Sequence, residues 1–127
     1  MYLKSYKELI VWQKSIQLVK ETFLLTDELP KSEIYGLVSQ MRRAVVSIPS
    51  NIAEGYGRRS AKEYAQFYSI AYGSALELET QLIVCKELKF ISLEQLAKVQ
   101  PLLEEVLKML NSMLGKMRQN YTLEARR

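Results

Sequence analysis

Residues 35–81 read YGLVSQMRRAVVSIPSNIAEGYGRRSAKEYAQFYSIAYGSALELETQ, and the fold turns on how this stretch divides. Leu37, Met41, Ala44, Val45, Ile48, Ile52 and Ala53 recur at helical spacing toward Tyr56. Gly55 and Gly57 stop that run, one of them supplying a left-handed C-cap. Ser60-Ala61-Lys62-Glu63 then carries the capping-box spacing, in which serine and a glutamate three residues on each satisfy a free amide. Two helices therefore meet at Gly57-Arg58-Arg59-Ser60. On the second, Tyr64, Phe67, Tyr68, Ala71, Ala75, Leu78, Leu82 and Cys85 mark the core side. Gly73 costs about 1 kcal/mol against alanine in a helix. Close approach of a neighbouring helix to the small residues Ala71–Ala75 would account for it.

Pro49 lies inside the first of these runs, where a proline removes a backbone hydrogen bond and costs about 3 kcal/mol. The apolar stripe keeps its phase from Ile48 to Ile52, so the reading is one helix kinked at Pro49. Ser47 or Ser50 is placed to bond carbonyls that the kink exposes, and Asn51 and Glu54 flank it.

Working outward, Leu9, Trp12, Ile16, Val19 and Phe23 share one face of a first helix, which ends before Leu29-Pro30. Ser32 is the expected N-cap of the second. Ser92-Leu93-Glu94-Gln95 repeats the capping-box pattern and opens a fourth helix. Its inward residues are Leu96, Val99, Leu103, Val106, Leu107, Leu110, Met113, Leu114 and Met117. Pro101 either kinks this helix or divides off a short first piece. The expected helices span about 5–27, 32–57, 60–89 and 92–120, with 121–127 a frayed tail. Residues 1–127 then form a single all-α domain, an antiparallel up-down-up-down four-helix bundle with helix 2 kinked at Pro49.

Composition narrows the function. The chain has 127 residues, 48% hydrophobic and 25% charged, with a formal net charge of +4. That balance permits a polyanionic partner without demanding one. Histidine is absent and Cys85 is the one cysteine, so neither a disulfide within the chain nor a histidine-containing di-iron centre is available. Cys85 has no histidine to activate it, and Glu77 and Glu79 fall on different helical faces. Gly55-Tyr56-Gly57 follows a helix instead of a strand, so it is not a dinucleotide loop. No enzyme activity, cofactor or metal is expected. The N-terminus lacks a secretory signal and no run is long enough to span a bilayer, so a cytoplasmic location is expected.

The same central residues, YGLVSQMRRAVVSIPSNIAEGYGRRS followed by EYAQFYSIAYGSALELETQL, closely resemble the bacterial four-helix-bundle family of 23S rRNA intervening-sequence proteins. Val11-Trp12-Gln13 and the segment Leu103–Leu114 fit the same pattern, so the resemblance covers nearly the whole chain. Pro101 and the Arg126-Arg127 tail lie outside it. A cousin of the family is the accessory variability determinant of diversity-generating retroelements, a pentamer that works with nucleic acid and a reverse transcriptase. The resemblance implies a homopentameric helical bundle with an RNA-related role.

In the expected topology the start of helix 1, the 2–3 corner and the end of helix 4 share one end. That end collects Lys4, Lys7, Arg58, Arg59, Lys62, Lys116, Arg118, Arg126 and Arg127, and it holds most of the charge excess. The opposite end is slightly acidic, and the middle cancels. Arginine forks suit phosphate, and Tyr2, Tyr6, Tyr56 and Tyr121 lie at the same end, where they could stack on unpaired bases. The competing account is local: cations at helix C-termini offset the dipole, and tyrosines at helix ends act as packed lids. Arg42 and Arg43 point about 100° apart. One is expected to pair with Glu77 or Glu79 of helix 3, or with Glu54 of a neighbouring subunit, with phosphate contact as the second choice. Two functions follow. The first is a non-catalytic oligomer binding RNA or other nucleic acid through its basic pole. The second is a protein-interaction scaffold or accessory subunit, for instance of a nucleic-acid-processing protein, with no nucleic-acid contact.

Overall fold

The computed structural model describes residues 5–126, with side chains described through residue 119. Its long helices are α1 (Ile10–Thr26), α2 (Ser39–Tyr56), α3 (Ala61–Glu87) and α4 (Leu93–Arg126), and no strand occurs among the described residues. The chain is an all-α four-helix bundle. Each helix packs on two others in the cycle α1–α2–α3–α4–α1. Along α2 and α3, Met41 meets Cys85, Ser47 meets Ser74, and Gly55 meets Phe67 and Tyr68, so numbers ascend on one helix as they descend on the other.

The core corrects the expected phase of helix 1. Val11, Ser15, Leu18, Thr22, Leu25 and Leu29 point inward, at spacings of three and four. Leu9, Trp12, Val19 and Phe23 are only partly buried, and Ile16 is exposed. The larger apolar residues line the flank of α1, while three hydroxyl residues of the helix, Ser15, Thr22 and Thr26, are buried. Ser15 donates to the Trp12 carbonyl at 2.7 Å and Thr26 to the Phe23 carbonyl at 3.0 Å. Thr22 Oγ1 is buried with no hydrogen-bond partner among the described residues. The inner faces of α2, α3 and α4 hold closely to expectation, with Met41, Val45, Ile48 and Ile52 opposite Tyr68, Ala71, Ala75, Leu78, Val99, Leu103, Val106 and Leu110.

Helix ends differ in instructive ways. A 3-10 turn, Tyr6–Glu8, precedes α1, and Leu9 is extended between them. Ser32 does not cap a helix. It lies in a 3-10 turn, Lys31–Glu33, whose preceding residue is Pro30. A π-helical turn follows at Ile34–Val38, with the backbone leaving helical geometry at Gly36 (φ −110°, ψ −109°), so α2 proper begins at Ser39. From there α2 is continuous through Pro49. Ser50 Oγ donates to the Val46 carbonyl at 2.9 Å, and Asn51 Nδ2 to the Ser47 carbonyl at 2.8 Å. These bonds reach the carbonyls just beyond Val45, whose i+4 partner would have been the amide that Pro49 lacks.

No glycine takes a positive φ. Gly57 is right-handed (φ −78°), which corrects the expected left-handed cap at that corner. The left-handed residue is Lys89, at φ 61°. There Phe90 N–H donates to the Cys85 carbonyl at 2.9 Å and Lys89 N–H to the Lys86 carbonyl at 3.0 Å, the paired bonds of a Schellman ending for α3. Ser92 and Gln95 exchange the reciprocal bonds of a capping box at the start of α4, at 2.8 and 3.2 Å. Helix α4 passes through Pro101 as one element and continues to Arg126, so residues 121–126 of the tail expected to fray are helical, and Arg127 lies outside the described residues.

Candidate nucleic-acid interface

The α2–α3 corner is built by short-range bonds. Gly57 N–H donates to the Glu54 carbonyl at 3.2 Å and Arg58 N–H to the Gly55 carbonyl at 3.0 Å, closing α2. Ser60 Oγ accepts from Glu63 N–H at 3.2 Å, opening α3. The Glu63 carboxylate reaches past Ser60 to the Arg59 amide at 3.4 Å, one residue before the usual capping-box donor. Tyr64 Oη donates to the Tyr56 carbonyl at 3.0 Å and ties the two helix ends together. Gly55 allows their close approach: a Cβ there would lie 3.1 Å from Phe67 Cβ and 3.3 Å from Tyr68 Cε1.

This packing sets the cations. The Arg58 guanidinium carbon sits 4.5 Å from the centre of the Phe67 ring, and its Nη2 is 3.7 Å from the Glu54 carboxylate. Beside Phe67 runs an open groove of about 600 Å³, lined by Lys62, Gln66, Phe67, Ser69 and Ile70 of α3 together with Arg118 of α4. It has an apolar, aromatic floor and two cationic walls, and among the described residues no carboxylate lines it. That arrangement suits an anion carrying a flat apolar body, because the cations take the charge while the ring takes the face. The other depressions are chemically different. The α3–α4 cleft of about 140 Å³ has Glu79 and Glu104 in its wall, and the α1–α4 groove of about 580 Å³ is lined by Leu9, Ile10, Val11, Met109 and Met113 with Glu8 and Lys108.

The structure thus joins Arg58, Lys62 and Arg118 around Phe67. Arg59 and Lys116 are exposed nearby in sequence but do not line the groove. Lys7 is exposed on the turn before α1, away from the groove lining, and its carbonyl accepts from Gln13 Nε2 at 2.9 Å. Lys4 and Arg127 lie outside the described residues, as does the side chain of Arg126. Of the tyrosines expected to stack on bases, Tyr6 packs edge-on against Trp12 at 5.4 Å, and Tyr2 and the Tyr121 side chain lie outside the description. The aromatic that meets the cations is Phe67, which sequence reasoning had assigned to the core.

Arg42 makes an ion pair, but within the chain its partner is neither Glu77 nor Glu79. It pairs with Asp27 of the α1 end at 2.7 Å, donates through Nε to Thr26 Oγ1 at 3.0 Å, and lies 4.6 Å over the Phe23 ring. Helix 3 supplies neither partner. Arg42 is a clamp between α1 and α2, while Arg43 is exposed with no ion pair among the described residues. Cys85 is fully buried, its thiol facing Met41 Sδ at 3.7 Å, and burial, then Glu33, pushes its pKa up. No group of three or more potential metal ligands occurs among the described residues, and no described helix is long and apolar enough to cross a membrane.

Fold and site together define a small helical bundle whose distinguishing surface is a cation-walled, aromatic-floored groove beside the α2–α3 corner. The chain belongs to the 23S rRNA-intervening sequence protein family, whose model matches residues 7–112. That match spans all of α1, α2 and α3 and more than half of α4. A search of curated proteins finds no match.

Proposed function

We propose that this chain is a non-catalytic module that binds RNA, working as a homo-oligomer, with a pentamer the expected number. The carrying observation is the groove in which Lys62 and Arg118 flank Phe67, with Arg58 stacked on the same ring. Phosphates would take the cations, and a base freed from pairing would take the ring face in place of the Arg58 guanidinium. Family membership supports an RNA-related setting, and a cytoplasmic location accords with that. Arg58 is partly offset by Glu54, whereas Lys62 and Arg118 line the groove itself.

The test is a titration of fluorescently labelled RNA hairpins with single-stranded loops, followed by anisotropy at low salt. Wild-type protein binds, and Lys62→Glu with Arg118→Glu abolishes binding while leaving helicity and mass unchanged. Failure of the wild type to bind, or indifference to the double substitution, would sink the reading. The scaffold alternative draws on a different observation, the exposed Ile34, Tyr35, Leu88 and Leu93 near the α1–α2 and α3–α4 connections. It expects a protein partner whose capture survives nuclease and is lost on Tyr35→Glu.

A further inference from the structure

We infer that the outer face of α3 seats the outer face of α1 from a second copy of this chain, in a head-to-tail contact. The inference rests on the homo-oligomer reading and specifies its surfaces. On α3, Ile70, Leu76, Ile83 and Val84 are 37–55% exposed, although the helix already buries a full apolar side inward. Such exposure is not general to this bundle. Along α4, no large hydrophobic between residues 94 and 119 is exposed.

Gly73 lies in the middle of that α3 face. A Cβ built on it meets nothing within 4 Å, so no contact among the described residues accounts for one of the poorest helix formers at this point. With Thr80 one heptad further on, it leaves a shallow channel between Leu76 and Ile83 on one side and Ile70 and Val84 on the other. Channels of small residues admit the ridge of a facing helix.

The outer face of α1 has the complementary form. It presents the longer side chains of Ile10, Ile16, Lys20 and Leu24, all exposed. From Ile10 to Leu24 is the same separation as from Ile70 to Val84, about 21 Å along a helix. The charges also complement: Lys20 is exposed on α1, Glu77 and Glu87 are exposed on α3, and none of the three has an ion pair among the described residues. Because α1 and α3 are not neighbours in the helix cycle, one copy can offer both faces at once. Unlike patches joined this way close into a ring or run on as a filament, whereas a two-fold dimer would pair a patch with itself.

Light scattering on the full chain tests this. Ile16→Glu and Gly73→Glu, each alone, should run at the monomer mass of 14.7 kDa with helicity retained. Mixed, they should form a one-to-one species of twice that mass and nothing larger, since one intact α1 face then meets one intact α3 face. Gly73→Glu staying assembled would overturn the inference, as would Ile16→Glu assembling alone, which would mean that α3 pairs with α3. Should either variant unfold, charge reversal decides: Lys20→Glu should weaken assembly at least about tenfold, and Lys20→Glu with Glu77→Lys should recover most of it. No recovery with either Glu77→Lys or Glu87→Lys would count against the contact. A wild type that is monomeric defeats the homo-oligomer reading itself. An assembled wild type that ignores these substitutions defeats only the choice of faces.

Discussion

Thr22→Val should stabilise this protein, and the reason lies in which face of α1 is buried. Thr22 is fully buried, and its hydroxyl has no hydrogen-bond partner among the described residues. Leaving such a group dry and unpaired costs about 1–3 kcal/mol. Valine keeps the branched shape, removes the unpaired oxygen and buries a further methyl worth about 0.8 kcal/mol. Valine and threonine differ little in helix propensity. The expected net gain is about 2 kcal/mol, or about 7 °C in melting temperature for a chain of this size. The matching control is Leu18→Ala, which should cost about 3 kcal/mol because Leu18 is fully buried. Urea unfolding followed by circular dichroism, at matched protein concentrations, measures both. If Trp12, Ile16 and Phe23 formed the inner face instead, Thr22 and Leu18 would turn toward the surface, and both changes would stay within about 0.5–1 kcal/mol. A neutral Thr22→Val together with a mild Leu18→Ala would refute the packing described for α1.

Other changes probe other joints. Lys89→Gly should stabilise by about 0.5–1 kcal/mol, because glycine relieves the left-handed backbone at φ 61°, while Lys89→Ala should not. Gly55→Ala should cost about 1 kcal/mol: overpacking against Phe67 Cβ and Tyr68 outweighs the gain in helix propensity, and thermal unfolding reads the difference. Tyr68 has its phenol pushed up to about 12 by burial and by the neighbouring Tyr64 and Tyr56. A raised folded pKa means that the unfolded chain loses the proton first. Stability is therefore intact below pH 10 and falls as pH rises from about 10 toward 12, by up to about 2–3 kcal/mol. Unfolding of wild type and Tyr68→Phe across that window should show this fall in the wild type beyond any seen in the variant.

Much of the fold was legible because its signals are local. Ser60 with Glu63 and Ser92 with Gln95 announced two helix starts, and both serines accept the expected amide. The stripe from Met41 to Ile52 and that from Val99 to Leu114 contain few competing apolar faces, so periodicity alone placed them. Helix α1 is different. It carries apolar residues on two sides, and the larger ones, Trp12 and Phe23, occupy the flank. Side-chain size therefore pointed away from the face that holds Ser15 and Thr22. The Lys89 ending was hidden because lysine has no preference for left-handed backbone; the pairing of amides around it creates that conformation. The cations of the α2–α3 corner were readable from the sequence, but their organisation was not. Arg58 over Phe67 and Arg42 over Phe23 are tertiary contacts, and each depends on how two helices meet.

The central claim is that Lys62 and Arg118 neutralise RNA phosphates at the groove. The direct measurement is the slope of log affinity against log salt concentration for wild type and for Lys62→Ala with Arg118→Ala. Loss of two phosphate contacts should flatten the slope by about 1.4 on single-stranded RNA, at about 0.7 per contact. Equal slopes, with or without a change in affinity, would contradict the claim.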